Sequence, residues 1–166
     1  MATPVAVRIR RATAADAGRI DALVRSLSAD SIVSRFMGGV SRDVATEELR
    51  REVRSDGGDF ALIAENALGE IVGEAYAATL SREEAEAAFV VRDGEQHHGV
   101  GTALLGAIVR ELRARGIRTL HADTAPENAA MLALLHEYGF PVRVRYRQGE
   151  LHVTLDLGEP PARTAG

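Results

Sequence analysis

Residues 85–105, AEAAFVVRDGEQHHGVGTALL, decide the fold, because they lead from a strand through a glycine loop into a helix. The run 85–92 is rich in apolar and aromatic residues and predicts a strand. Beyond the loop, apolar residues recur at helical spacing as far as Arg115, where Gly116 favours a helix end. Residues 117–124 predict a second strand. Strand, loop, helix and strand in this order form a βαβ unit, whose strands run parallel with a right-handed crossover. The apolar face of the helix comprises Leu104, Leu105, Ile108, Val109 and Leu112.

The loop Gln96–Gly101 has the chemistry of an anion site. Gly99 and Gly101 have no Cβ, so a ligand can approach the backbone closely. The loop opens a helix, whose first N–H groups have no intrahelical acceptor and whose dipole favours negative charge. This arrangement predicts a phosphate ligand, and Thr102 adds a hydroxyl in the first turn. By itself the pattern is equally consistent with glycines that serve only a tight turn.

Two common phosphate loops are excluded. A Walker loop needs Gly-Lys-Ser/Thr, and the basic residues of this chain are all arginines. A Rossmann fingerprint needs a third glycine at the position of Leu104, and it belongs to the first βαβ unit of its domain. The loop is therefore expected to bind a phosphate ligand of another kind.

The remaining segments predict strands joined by short turns, which therefore run antiparallel, and helices on both faces of one mixed sheet. Thr13 is the predicted N-cap of a first helix. Ser41 or Asp43 caps a second helix, which Gly57–Gly58 ends. The other predicted strands cover residues 5–10, 60–65, 70–78, 142–147 and 151–157, and a last helix covers residues 127–138.

Length and composition predict one domain, residues 1–157, followed by a disordered tail, residues 158–166. The net charge of -4, with acids and bases interspersed, argues against nucleic acid as a partner. No apolar run reaches the roughly 18 residues of a membrane span. The chain has no cysteine, and His121, His136 and His152 are scattered without metal-ligand spacing. We therefore expect a cytoplasmic protein without a membrane segment or a metal.

Two motifs connect the loop to a known family. The pattern Gln96-x-x-Gly99-x-Gly101 after a strand resembles motif A of the GNAT superfamily of N-acetyltransferases. The segment Pro126–Met131, which leads to Tyr138-Gly139-Phe140, resembles the next motif of that superfamily. The resemblance implies an α/β (mixed α+β) fold. Its central sheet would have six to seven mostly antiparallel strands with one parallel, splayed pair, flanked by about four helices.

The resemblance also implies acetyl-coenzyme A as co-substrate. In the superfamily, the loop amides hold the pyrophosphate, and the pantetheine arm lies between the two parallel strands. Backbone groups of Val90 and Val91 would meet the arm, and Asn128 would reach the arm or the phosphates unless it only starts a helix. Because His97 and His98 stand where many relatives have Arg or Lys, phosphate would depend more on amides at neutral pH. The implied cofactor-binding residues are Phe89, Val90, Val91, Gln96, His97, His98, Gly99, Val100, Gly101, Thr102, Asn128 and Met131.

Acetyl transfer to an amine requires a base for the ammonium proton and a hydrogen-bond donor for the oxyanion. The alternation of side chains along the strand places Glu86 on one of its faces. This position alone is also consistent with an acid that is simply exposed to solvent. The string Ala-Glu-x-Ala-Phe-x-Val around it resembles bacterial Pat-type protein lysine acetyltransferases, as does Leu27-Ser28-x-x-Ser31-x-x-x-Arg35-Phe36. That resemblance implies Glu86 as the general base and the Val91 N–H as the donor to the thioester carbonyl.

The sequence does not reveal a general acid. Many GNAT enzymes have a tyrosine at the position that Leu135 occupies here. Tyr138 lies three residues further on, in a different helical direction, and is predicted to belong to the core. The departing thiolate would then take its proton from water.

The acceptor is set by residues 28–58, the least readable part of the chain. Pat-type enzymes modify a lysine of acyl-coenzyme A synthetases, which makes such a synthetase the implied partner. A small amine is the alternative acceptor: it would require a closed acidic pocket over Glu86, whereas a protein acceptor would require an open groove. A non-catalytic acyl-coenzyme A sensor is a third alternative. The expected oligomeric state is a monomer or a homodimer.

Overall fold

The computed structural model describes residues 6–158. The strands are β1 (Arg8–Arg11), β2 (Phe60–Glu65), β3 (Ile71–Thr79), β4 (Glu84–Val91), β5 (Thr119–Thr124), β6 (Val142–Arg147) and β7 (Glu150–Asp156). The α-helices are α1 (Ala17–Ser26), α2 (Ala29–Phe36), α3 (Arg42–Val53), α4 (Val100–Ala114) and α5 (Ala129–Glu137). Short 3-10 turns occupy Ala14–Asp16 and Asp93–Glu95.

All the strands belong to one seven-stranded sheet of order β1-β2-β3-β4-β5-β7-β6. Within the described sheet, β4 and β5 are the only parallel neighbours, and α4 is the crossover between them. The other neighbouring strands run antiparallel. This confirms the predicted fold, a mostly antiparallel α/β sheet with one parallel pair.

The parallel pair is splayed. Residues Glu84–Glu86 pair with Thr119–His121, and no further pairing between the two strands follows. Beyond that point β4 continues to Val91 along β3, and β5 continues to Thr124 along β7. Each strand thus keeps its antiparallel partner while a gap opens between them.

Helices pack on both faces of the sheet. On one face, α4 and Leu135 of α5 pack on a core that includes Phe60, Phe89 and Leu120. On the other face, α1, α2 and α3 pack on a second core that includes Ile63 and Val90. Adjacent strand residues point to opposite faces, so Phe89 and Val90 belong to different cores.

Helix α2 was not predicted from the sequence. The Oγ of Ser28 caps it by accepting a hydrogen bond from the N–H of Ser31 at 3.1 Å. The helix has 8 residues, of which only Ile32 is fully buried, so its apolar periodicity is too short to read. Met37, with φ 54°, ends it in the left-handed conformation.

Other boundaries differ from the prediction by a few residues. Thr13 caps the 3-10 turn that precedes α1, rather than α1 itself. Of the two candidate caps for α3, Ser41 is the one used. Helix α3 ends at Val53, before the glycine pair. Such shifts arise because tertiary packing, rather than local propensity, decides where an element ends.

The two chain termini lie outside the described range, at residues 1–5 and 159–166. The start of the first predicted strand, at Val5, falls there, and β1 begins at Arg8. Of the predicted tail, only Gly158 is described. Between residues 6 and 158, no helix combines the length and the apolar character needed to cross a bilayer.

A methyl group at Gly73 would disturb the contact between β3 and α4. A Cβ built there lies 3.1 Å from Leu104 Cδ1, 3.2 Å from Val100 Cγ1 and 3.2 Å from the Val90 carbonyl. We expect Gly73→Ala to lower the free energy of unfolding by about 1–3 kcal/mol, because overpacking forces neighbouring atoms to move. In the control Gly18→Ala, the new Cβ meets nothing within 4 Å. The control should raise the free energy of unfolding by about 0.5 kcal/mol. Urea unfolding followed by circular dichroism tests this, and equal stabilities of the two variants would contradict it.

Candidate active site

A cleft of about 720 Å³ lies along the unpaired end of β4. Helix α2 contributes Ser31 and Arg35 to its wall, its N-cap Ser28 also lines it, and the start of α5 contributes several further residues. Of the predicted cofactor-binding residues, His98 and Val100 belong to the same loop without lining the cleft, and Val100 is buried. The others line it together: Phe89, Val90, Val91, Gln96, His97, Gly99, Gly101, Thr102, Asn128 and Met131.

The glycine loop presents a run of free backbone donors. His97, with φ 63°, and Gly99, with φ 87°, both adopt the left-handed conformation. Within residues 6–158, the N–H groups of residues 97–102 donate to no protein acceptor. The first helical bond, from Ala103 N to Gly99 O, follows at 3.0 Å. Successive free N–H groups of this kind form a concave anion site, and the N-terminus of α4 strengthens it.

Gly101 allows α4, α5 and β4 to approach one another at the loop. A Cβ at this position would lie 3.3 Å from Leu134 Cδ2 and 4.0 Å from Val91 Cγ2. A side chain there would push the first turn of α4 away from α5. The glycine therefore keeps the backbone donors close to the cleft.

The backbone of β4 alternates between its two neighbours. The N–H of Arg92 donates to a carbonyl of β3 at 2.8 Å. In antiparallel pairing, residues two apart bond to the same side, so Val90 also directs its backbone groups towards β3. Phe89 and Val91 therefore direct their backbone groups into the gap beside β5. Val91 thus presents its N–H to the cleft.

Two side chains fasten the loop to α2 and β4. Gln96 Nε2 donates to Val91 O at 3.0 Å and to Ser31 Oγ at 3.2 Å. The N–H of Ser28 donates to Asp93 Oδ1 at 2.9 Å. Burial raises the pKa of Asp93, but hydrogen bonds from Ser28 and Ser31 outweigh that effect and lower it. The side-chain amide of Gln96 is thus engaged with protein atoms and positions the loop against α2.

Asn128 combines a cap with a free donor. Its Oδ1 accepts a hydrogen bond from the N–H of Met131 at 3.1 Å, which caps α5. Within the described residues, its side-chain nitrogen has no hydrogen-bond partner, and the residue lines the cleft. Asn128 can therefore cap α5 with its side-chain oxygen and also offer its side-chain nitrogen to a ligand.

The predicted base lies at the vertex of the gap. Glu86 is exposed and is the last residue of β4 to pair with β5, where its partner is His121. Leu135 is fully buried in the core. Because leucine has no ionisable group, this position supplies no general acid. Tyr138 packs on Phe140, with ring centroids 5.4 Å apart.

Comparison with known proteins identifies the family of this chain. Residues 27–140 match the family model of the Acetyltransferase (GNAT) family. The chain belongs to this family. The GNAT domain of S. lividans PAT is 28% identical, with a TM-score of 0.81 over 90% of each chain. A GNAT phosphinothricin acetyltransferase from Sinorhizobium meliloti, solved with acetyl-coenzyme A, has the same fold at 21% identity, with a TM-score of 0.70 over 94% of this chain and 91% of that one.

Two curated relatives are named for small-molecule substrates. The L-methionine sulfoximine/L-methionine sulfone acetyltransferases of Pseudomonas aeruginosa and Pseudomonas paraeruginosa are 30% identical over 105 residues. The match covers 60% of this chain and 61% of those proteins, so the chain matches about three-fifths of their length.

The S. meliloti acetyltransferase was solved with acetyl-coenzyme A, and this chain belongs to the GNAT family. Its loop fits that co-substrate, because it offers free N–H donors at a helix N-terminus and has no side chain at Gly99 or Gly101. Within residues 6–158, no cluster of three or more His, Cys, Asp or Glu residues is placed to hold a metal ion.

A buried charged cluster, Arg35, Glu52 and Glu74, lies beside the cleft. Their side chains are 6%, 4% and 0% exposed. Arg35 Nη2 lies 2.6 Å from Glu52 Oε2 and 3.6 Å from Glu74 Oε2. Among the described residues, both Glu74 oxygens and Arg35 Nε have no hydrogen-bond partner. The sequence analysis did not identify this cluster, although Glu74 stands out as an acid within the otherwise mostly apolar strand IVGEAYAAT.

The surroundings of the cluster favour a neutral carboxyl group over a second carboxylate. Burial raises the pKa of Glu74 well above its ordinary value, and Glu52 raises it further against the opposing effect of Arg35. Burial also raises the pKa of Glu52, again against Arg35. One guanidinium compensates only one of two buried carboxylates, so the other is favoured in its neutral form. Glu74 is the more buried of the two, so its neutral form is favoured more strongly.

The cluster should make stability depend on pH. The folded-state pKa of Glu74 is raised, so its stabilising contribution is present below pH 4.5, the ordinary value, and is lost as pH rises through the raised value. Glu74→Gln should therefore be more stable than the parent at pH 8, by about 1–2 kcal/mol, and should lose less stability between pH 5 and 8. Arg35→Met leaves both acids uncompensated and should lose about 3–5 kcal/mol. Urea unfolding at pH 5, 6.5 and 8 measures this. Parallel pH profiles for the parent and Glu74→Gln would refute the assignment.

Proposed function

We propose that this acetyltransferase transfers the acetyl group of acetyl-coenzyme A to lysine side chains of proteins. The main support is the open surface beside Glu86. The Glu86 side chain is exposed, and it is not among the residues that line the cleft. A small amine would favour a closed acidic pocket over this carboxylate, whereas a protein acceptor needs an approach that remains open.

The open surface is a polar sheet face that continues from Glu86 across β5, β7 and β6. Ladder partners point to the same face, and every second residue belongs to it. Its acids on β4 and β5 attract a cationic lysine, and its arginines on β6 lie at the far edge. The residues of this polar face are Glu84, Glu86, His121, Asp123, His152, Thr154, Arg143 and Arg145.

Each step of the proposed reaction depends on a different group of residues. The free amides of residues 97–102 hold the pyrophosphate, and the backbone of Phe89 and Val91 contacts the pantetheine arm. The Val91 N–H donates to the thioester oxygen as negative charge develops there. Glu86 removes the ammonium proton of the acceptor, directly or through a water molecule, so that the neutral amine attacks. The thiolate takes its proton from water, since Leu135 supplies none.

Similarity to other proteins also supports a protein acceptor. The GNAT domain of S. lividans PAT matches nine-tenths of the chain at 28% identity. The motif 27–36, which resembles Pat-type lysine acetyltransferases, forms the capped helix α2 at the cleft wall. A lysine of an acyl-coenzyme A synthetase is therefore the first acceptor to test.

A small amino acid analogue is the second candidate acceptor. It is favoured by the curated relatives that acetylate L-methionine sulfoximine or L-methionine sulfone. Radiolabelled acetyl-coenzyme A with a synthetase in one set of reactions and an amine panel in another distinguishes the two. Turnover confined to the small amines would reject the lysine proposal.

Glu86→Gln should lower kcat/KM at pH 7 by about 10²-fold, because a general base contributes roughly that factor or more. The loss should shrink at higher pH, where more of the acceptor amine is already neutral. Glu83→Gln is the matched control: Glu83 is an exposed acid that pairs with Arg118 at 3.6 Å. Steady-state rates from pH 6.5 to 9.5 measure the effect. Unchanged transfer by Glu86→Gln would remove this base from the mechanism.

Gly99→Ala should weaken coenzyme A binding about tenfold, because a left-handed L-residue costs about 1–2 kcal/mol and the loop would relax. Gly94→Ala is the control, since its Cβ meets nothing within 4 Å and its φ is not positive. Isothermal titration calorimetry with coenzyme A gives both dissociation constants. If both variants bind as tightly as the parent, the loop is not the pyrophosphate site.

A further inference from the structure

The sheet has no helix over one face of its second half. Among the described residues, the core beneath α1, α2 and α3 contains residues of β2, β3 and β4 and none of β5, β6 or β7. The polar face continues over these three strands, where the side chains of Asp123, Arg143 and Arg145 are exposed. This part of the sheet is therefore open to another molecule, directly beside Glu86.

Two arginines at the edge of the polar face have no compensating acid. Strand β6 is the last strand of the sheet, and both Arg143 and Arg145 are exposed on it. Their ladder partners on β7 are Thr154 and His152. Within residues 6–158, neither arginine forms a salt bridge. These two residues, the β6 arginines, thus offer two uncompensated positive charges to a partner.

The other charged groups near the β6 arginines are balanced or engaged. Arg147 continues the row along β6, but its ladder partner is the acid Glu150, which offsets its charge. Asp156 lies two residues after Thr154 on β7, and its Oδ1 accepts a hydrogen bond from the N–H of Gly158 at 2.9 Å. The charge of the β6 arginines is therefore left for a partner.

The β6 arginines lie at a defined spacing from the proposed base. One row of ladder partners crosses β4, β5, β7 and β6 on a single face, and it consists of Glu86, His121, Thr154 and Arg143. Neighbouring strands lie about 4.8 Å apart, so the Cα atoms at the two ends of the row are about 14 Å apart. An extended peptide advances about 3.3 Å per residue and covers this distance in about four residues.

We propose that the β6 arginines dock an acidic segment of the protein acceptor, about four to five residues along the chain from the lysine that is acetylated. This docking rests on the proposed transfer to protein lysines. Charge complementarity supports it at both ends of the row, because Glu86 attracts the ammonium and the β6 arginines attract carboxylates. A nucleic acid is disfavoured, since acids lie on the same face and the net charge is -4.

Three lysine peptides test the docking in the parent protein. One has glutamates four and five residues before the lysine, the second has them four and five residues after it, and the third has glutamines at all these positions. At least one acidic peptide should exceed the glutamine peptide about tenfold in kcat/KM, mainly through KM, because two exposed ion pairs each contribute a few-fold. The preference should shrink at about 0.5 M salt, which screens exposed charges.

Variants of the β6 arginines test whether they cause the preference. Replacing both, by Arg143→Gln and Arg145→Gln, should remove it. Arg110→Gln is the matched control and should keep it, because Arg110 is exposed on α4, which packs on the other face of the sheet. The charge reversals Arg143→Glu and Arg145→Glu together should invert the preference in favour of a peptide with arginines in place of the glutamates. A folding defect cannot produce such an inversion.

The outcomes separate the docking from the acceptor class. Equal kcat/KM for the three peptides in the parent, or transfer to an acyl-coenzyme A synthetase but to none of the peptides, would overturn the docking alone. Transfer to neither the peptides nor the synthetase would overturn the acceptor class and the docking with it. Charges on an edge strand can also serve only to prevent pairing with another chain. Self-association of the double glutamine variant in size-exclusion chromatography, with its peptide preference intact, would assign that function instead and overturn the docking.

Discussion

The early separation of β4 from β5 is the constraint on which the site depends. Each strand keeps a complete antiparallel partner, β3 on one side and β7 on the other, so the sheet stays intact while the gap opens. The separation leaves backbone groups of Phe89 and Val91 without strand partners. The Val91 carbonyl accepts a hydrogen bond from Gln96, and the remaining backbone groups must bond to water or to a ligand, so the gap is polar along β4 even where its side chains are apolar. The pantetheine arm of a thioester can form hydrogen bonds with these backbone groups, as a strand in the gap would.

The same βαβ geometry places the anion site at the open end of the gap. A right-handed crossover returns the chain from β4 to β5 through α4, so the N-terminus of α4 points to the place where the strands are farthest apart. The loop then needs left-handed backbone at His97 and Gly99, and Gln96 and Asp93 tie it to α2. These contacts link the coenzyme side of the cleft to the helix that forms its other wall.

Environment gives the acidic residues on this side of the sheet different properties. Glu74 is fully buried next to Glu52 with one shared guanidinium, and burial raises its pKa. Glu86 is exposed on the same face of the sheet, where it can exchange protons with water. Carboxyl groups whose environments differ in this way can serve different purposes within one site. The buried cluster joins α2 to α3 and β3, whereas Glu86 lies on the exposed part of the sheet.

The sequence by itself determined the βαβ unit, the glycine loop and the mixed sheet, because strand alternation, helical spacing and glycine placement are local signals. Only the tertiary structure decided which distant residues meet. His121 and His152 looked unrelated along the chain, yet β5 and β7 are neighbours and bring their rings together. Helix α2 and its cluster were equally hidden, because Arg35, Glu52 and Glu74 lie on three elements whose contact depends on packing. Local patterns determine elements, whereas register and burial, which act between elements, determine the chemistry of the site.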